Sequence, residues 1–271
     1  MKAYNYSNIL IAFFLVSCNL EKDIDVALPI RETSLVVECY LEPGKPYRLF
    51  LFESESFFSA PDQTPRILDA EVYIVHKGDT VVLQNNTSLD IESLKFYNYT
   101  SHETETVPND FNTEFNLFIR DKRGRTVKGT TTILPPVAID SIGWVYNEER
   151  TMAGPTIYFQ DDNRVDNYYR YLITADSLSG DVRRDFLIND ATFQTAQALI
   201  TARPRSEKDV QLFLSFFNLT KDHYKFLEST EGAIRANSNP FGQASSIQSN
   251  LEGGYGIFTG LSYVRKIVVV P

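Results

Sequence analysis

Cys18 is the residue whose type and setting state a chemistry most directly. It closes the tetrad Leu15-Val16-Ser17-Cys18, which has the form of a lipobox: Leu at −3, a small or aliphatic residue at −2, a small residue at −1, then Cys. The Cys18 thiol is the nucleophile that takes diacylglycerol, and small Ser17 lets a lipoprotein signal peptidase reach the bond before it. Two or three acyl chains, at about 0.8 kcal/mol per buried methylene, hold a protein at a membrane essentially permanently. The other chemistries tested are weaker. His76, His102 and His223 have no metal-ligand spacing, and their ordinary explanation is exposure to solvent or local satisfaction. There is no Gly-x-Ser-x-Gly elbow and no Cys-x-x-Cys. Asp161-Asp162-Asn163-Arg164-Val165-Asp166 has Val165 where an EF-hand needs an oxygen ligand and Asp166 where it needs Gly, so it reads as a polar hairpin loop. Gly253-Gly254-Tyr255-Gly256 is not followed by a helix that could aim amides at phosphate, so it reads as a turn or bulge where backbone passes close to its neighbours. No catalytic, metal or cofactor residue is assigned. A glycan- or peptide-acting hydrolase, built from abundant carboxylates or a serine, remains an alternative.

Around Cys18 the elements agree. Ile9 to Val16 is an uninterrupted apolar run after a short segment bearing Lys2. As a helix it would rise about 12 Å, far short of a bilayer core of about 30 Å, so residues 1–17 are expected to be a lipoprotein signal peptide. Residues 18–33 are expected to be lipid anchor and tether, with Glu21-Lys22-Asp23-Ile24-Asp25 polar and free of aromatics. The formal charge is −9, and about −10 without the Lys2 segment. Net charge so acidic is expected to give no overall grip on phosphate backbones and to be repelled by anionic lipid surfaces; nucleic acid is not an expected partner, and membrane contact is expected to come through covalent lipid.

The remainder reads as mainly β. Aromatics at 13% favour half-buried pleated surfaces. Leu35 to Leu41 alternates, which places Cys39 with Leu35, Val37 and Leu41 on a core face. Hairpins are expected around Lys77-Gly78-Asp79 and Asp121-Lys122-Arg123-Gly124. The expectation is an immunoglobulin-like β-sandwich over 34–133, a Pro-rich linker over 134–138, and a second β-rich domain with one short helix over 139–271. The helix spans 220–231, capped by Thr220 and stopped by Gly232. Tyr263 to Val270 suits a central strand. Phe57-Phe58, in a loop bounded by Pro61 and Pro65, is the candidate partner contact; the alternative is that both rings fill the core. Asp79-Thr80-Val81, Asp140-Ser141-Ile142 and Asp176-Ser177-Leu178 resemble an O-glycosylation acceptor triplet of exported Bacteroidota proteins, which nominates Thr80, Ser141 and Ser177.

Asn239-Pro240-Phe241-Gly242 and Ser249-Asn250-Leu251-Glu252-Gly253-Gly254-Tyr255-Gly256-Ile257-Phe258 are distinctive. With Tyr168-Tyr169-Arg170 and Val36-Val37-Glu38, they resemble the Bacteroidota lipoprotein family known as domain of unknown function 4249. The resemblance implies an outer-membrane lipoprotein, lipid-anchored and facing either the periplasm or the cell surface, that is often encoded beside a TonB-dependent receptor. It carries no catalytic residues over. The expected role is an accessory or binding protein of such a transporter; a surface adhesion or structural module is the alternative.

Overall fold

The computed structural model describes residues 33–55, 65–92, 94–193, 195–238 and 246–271. Ser17, Cys18, Phe57, Phe58 and the Asn239–Gly242 segment lie outside the described residues. Residues from Thr33 to Pro271 form one compact unit.

The first layer system is built from β1 (Leu35–Leu41), β2 (Arg48–Glu53), β3 (Glu71–His76), β4 (Asp79–Asp90), β5 (Lys95–Thr100), β6 (Glu114–Arg120) and β7 (Thr126–Thr132). In β1, Leu35, Val37, Cys39 and Leu41 are all buried, as the alternation predicts. They pack with Leu49, Leu51, Ile74, Phe115 and Leu117. Each such side chain contributes about 1.5–3 kcal/mol on leaving water. The β3–β4 turn is the two-residue Lys77-Gly78, both at positive φ, and it pairs His76 with Asp79. That backbone matches the twist of the flanking strands.

The sheet is not confined to residues 34–133. Its order is β15-β7-β6-β3-β4-β5-β2-β1-β16, with β15 (Leu251–Glu252) and β16 (Tyr255–Gly260) arriving from the far end of the chain. These two edge strands are consecutive in sequence, so the sheet curls until its edges meet. Leu251 and Phe258 pack over Gly129 of β7 at that closure. Gly253-Gly254 is the expected close approach: a Cβ at Gly254 would lie 2.8 Å from the Leu35 carbonyl oxygen. Tyr255 onward, however, is strand rather than turn, paired parallel to β1 from Val36↔Tyr255 to Leu41↔Gly260. The glycine content hid it, because Gly256 serves the strand by letting backbone press on Val37 rather than by packing a side chain.

The second layer system has two four-stranded sheets. One runs β11 (Val182–Asn189), β10 (Tyr168–Ala175), β14 (Gln211–Leu219), β17 (Ser262–Val269). The other centres on β9 (Met152–Gln160), flanked by β8 (Ser141–Tyr146) on one side and β12 (Gln197–Thr201) with β13 (Ser206–Glu207) on the other. Phe159, Tyr169 and Phe216 meet between them, with ring centroids 4.6–5.2 Å apart. The β17 run is an edge strand, not a central one. Its β-branched residues reflect half-burial against β14, and Ile267 and Val269 face solvent.

One helix, α1 (Lys221–Asn237), follows β14. Thr220 caps it by accepting from the His223 N–H, as expected. Gly232 does not stop it. A glycine inside a helix costs about 1 kcal/mol, less than the packing of the helix face provides, and the end comes at Ser238.

Candidate functional site: a cleft between the two layer systems

Alternation makes a strand two-faced, and here the second faces matter. In β1, Tyr40 points opposite to Cys39; in β10, Arg170, Leu172 and Thr174 alternate with the core residues Tyr171 and Ile173; in β14, Ser215, Phe217 and Leu219 alternate with Leu214 and Phe216. The outward faces of the two layer systems confront each other around a cavity of about 250 Å³. Helix α1 adds His223 and Leu227, and β17 adds Tyr263 and Arg265. The chain itself ties the two sides together here, because Leu261, between β16 and β17, donates its N–H to the Leu41 carbonyl at 2.8 Å.

The polar lining is arranged in pairs. Lys95 sits 3.7 Å above the Tyr40 ring and 3.6 Å from the Glu38 carboxylate. Arg48 lies over the Tyr97 ring at 4.9 Å and reaches Asp90 at 3.1 Å and Glu42 at 3.5 Å. Arg170 holds Asp185 through two parallel bonds of 2.8 and 2.6 Å. Arg265 lies over the Tyr263 ring at 4.6 Å, donates to Ser215 Oγ at 3.2 Å and is 3.8 Å from Glu92. The Tyr263 hydroxyl donates to Glu42 at 2.7 Å. Each cation is thus matched by a carboxylate, and all four also lie on a ring face, Arg170 being 5.8 Å from the centre of the Phe217 ring.

His223 is the exception. It is 2% exposed, its ring centroid is 5.8 Å from that of Tyr40, and among the described residues its Nδ1 has no hydrogen-bond partner. Burial, together with the nearby charges of Arg170 and Lys95, pushes its pKa down to about 3, so the ring stays neutral. Burial also lowers the Lys95 ammonium, against the opposing pull of Glu38. Burial raises the Tyr97 phenol to about 12, and burial with the bond to Glu42 does the same for Tyr263.

His223 therefore departs from the expectation of an exposed or locally satisfied histidine. The other two follow it. His76 stacks on Phe115 at 3.9 Å and bonds the Glu114 carbonyl and Asp110, each at 3.0 Å; His102 bonds Thr104 Oγ1 at 2.8 Å. Asp161 accepts from the Tyr169 hydroxyl at 2.7 Å, and Asp162 binds Arg164, so two of that loop's carboxylates are engaged within the protein. Among the described residues no three His, Cys, Asp or Glu side chains converge as a metal site would require. Cys39 is wholly buried, and burial raises its thiol far above the ordinary range. Thr80 in β4, Ser141 at the start of β8 and Ser177 in the turn after β10 are exposed, and none of them lines the cleft.

Of the lining residues, the sequence singles out only His223 for its chemistry, and there as an exposed or locally satisfied histidine. The available signal was the polar and aromatic side chains on the non-core faces of strands, Tyr40, Arg170 and Phe217 among them.

No curated protein sequence matches this chain. Among solved structures it is similar to the two-domain fibronectin type-III segment of chicken tenascin, at 10% identity and a TM-score of 0.27, over 88% of this chain and 100% of that one. It is also similar to a chain of a cytokine receptor complex, at 7% identity and a TM-score of 0.27, over 86% of this chain and 95% of that one. Residues 20–267 match the family described as a domain of unknown function, DUF4249, and the chain belongs to that family.

Proposed function

We propose that this protein is a lipid-anchored, non-catalytic binding protein of the outer membrane that assists a TonB-dependent transporter, with the cleft around His223 receiving a small ligand. The observation that carries the reading is the cleft: a cavity between two sandwiches, with its charges already matched and one buried ring nitrogen left without a partner. A buried unpaired nitrogen costs about 1–3 kcal/mol, which a bound hydrogen-bonding group would recover. Because Arg48, Lys95, Arg170 and Arg265 are each matched by a carboxylate, the ligand is uncharged overall; Leu172, Phe217, Leu219 and Leu261 supply it an apolar flank. The volume lies just below the usual range of ligand pockets, about 300–1,000 Å³. The lipobox at Cys18 and the acidic tether support attachment by lipid.

Two measurements test the proposal. Labelled palmitate is expected to enter the wild-type protein and not Cys18→Ser. Pull-down of the lipidated protein from native membranes is expected to recover a TonB-dependent receptor. A precursor that keeps Met1 and takes up no palmitate would remove the anchor, and a pull-down without a receptor would remove the transporter role.

A further inference from the structure

A second concavity lies on the outer margin of the second layer system, where edge strand β11 faces the strand pair β12 and β13. It is a shallow groove of about 580 Å³. Four arginines line it: Arg183 and Arg184 from β11, and Arg203 and Arg205 from the segment between β12 and β13.

That segment exists for a local reason. β12 pairs with β9 up to Thr201↔Thr156, and pairing resumes at Ser206↔Ala153. Between them lies Pro155, whose carbonyl accepts from the Ala202 N–H at 3.0 Å but which has no N–H to return. The ladder breaks there, and Arg203-Pro204-Arg205 loops out toward β11. The Arg205 N–H re-anchors the loop on the Ala153 carbonyl at 3.1 Å.

The charge in the groove is unspent, unlike that in the cleft. Among the described residues Asp185 is the one acidic residue lining the groove, and Arg170 occupies both of its oxygens. Among the described residues Arg183 has only Asp181, at 3.8 Å with that carboxylate 82% exposed, and the buried Arg183 Nε has no partner. Among the described residues Arg184, Arg203 and Arg205 make no ion pair with any carboxylate. Burial, joined by the charges of Arg205 and Arg203, pulls the Arg184 guanidinium below its ordinary value. A chain with formal charge −9 has carboxylates in excess, yet among the described residues none pairs with Arg184, Arg203 or Arg205. Like charges held together this way repel, and the repulsion is relieved by a bound anion with several oxygens.

We infer that this groove is an oxyanion site for a phosphate group, free or carried on a lipid headgroup, gripped by the guanidinium forks of Arg184, Arg203 and Arg205. Guanidinium presents paired N–H donors at the spacing of phosphate oxygens, which an ammonium does not. The inference does not depend on the cleft or on its ligand.

The test is calorimetric titration of the full chain in nonionic detergent with two probes: inorganic pyrophosphate, and detergent micelles doped with phosphatidic acid. Saturable binding to at least one is expected, weakening as salt rises. Binding of pyrophosphate assigns a free phosphate; binding of doped micelles alone assigns a headgroup. R203A/R205A is expected to weaken binding about tenfold or more, because each lost fork removes charge-assisted bonds. R203K/R205K, which keeps the charge but not the fork, should fall between. Both side chains are exposed, so the fold should survive, which unchanged circular dichroism would verify; Arg184→Gln provides an independent variant. Binding of neither probe, or equal affinity in wild type and R203A/R205A, overturns the assignment.

Discussion

His223→Leu isolates the cost of keeping an imidazole in the cleft. In the folded protein His223 titrates at about 3, whereas an unfolded chain protonates histidine at about 6.5. The folded pKa is depressed, so the unfolded state binds the extra proton, and stability is lost as pH falls below about 6.5 until the folded ring protonates near 3. Between pH 7 and pH 5 the unfolded histidine goes from mostly neutral to almost fully protonated while the buried one stays neutral. Linkage over that interval amounts to about 2 kcal/mol lost by the wild type. Leucine has similar bulk, cannot protonate and leaves no unpaired nitrogen beside Arg170 and Lys95. The assay is urea unfolding of both proteins at the two pH values. All other titrating groups cancel in the difference, so the variant should gain about 2 kcal/mol relative to wild type on going to pH 5. A difference that does not change with pH would refute a buried, neutral His223.

Gly256→Ala should destabilise by about 3 kcal/mol or more, read by thermal or urea unfolding, because φ is +114° and a Cβ would lie 1.9 Å from the Val37 carbonyl oxygen. Cys39 should resist a thiol reagent in the native state and react fully in denaturant, since burial holds the thiol protonated and unreachable; rapid native labelling would contradict this. Glu53→Gln should cost about 2 kcal/mol at neutral pH by removing the charge that receives Arg125 at 2.7 Å, with exposed Arg123 adding little. The Thr33 hydroxyl and Arg125 lower the Glu53 carboxyl, so its contribution is present above the ordinary carboxylate range and fades as pH falls through the folded value. The gap between variant and wild type in denaturant titrations should therefore close in acid.

What the sequence determined is whatever depends on near neighbours. Strand β1 was legible because Leu35, Val37, Cys39 and Leu41 repeat at the pleat's own period, and the same alternation buried Cys39. Thr220 was legible as a cap because a cap needs only a hydroxyl within reach of the next turn. The Lys77-Gly78 turn was legible because positive φ is a property of the turn itself. Strand β5 was not assigned: Asn98 sits fully buried in its middle, satisfied by the Leu51 N–H and carbonyl 47 positions away, and nothing local announces such a partner. Strand β16 hid behind its glycines for the same reason, since what they accommodate is Val37. Tertiary structure alone decided the two sites. The cleft joins β1, β10, β14 and α1 through faces that each strand turns away from its own core, and the arginine groove joins β11 to a loop set by Pro155 on β9. Periodicity states which face of a strand is buried; which other strand's face it meets is fixed only when distant segments pack, and the unpaired nitrogen of His223 and the unmatched arginines exist only there.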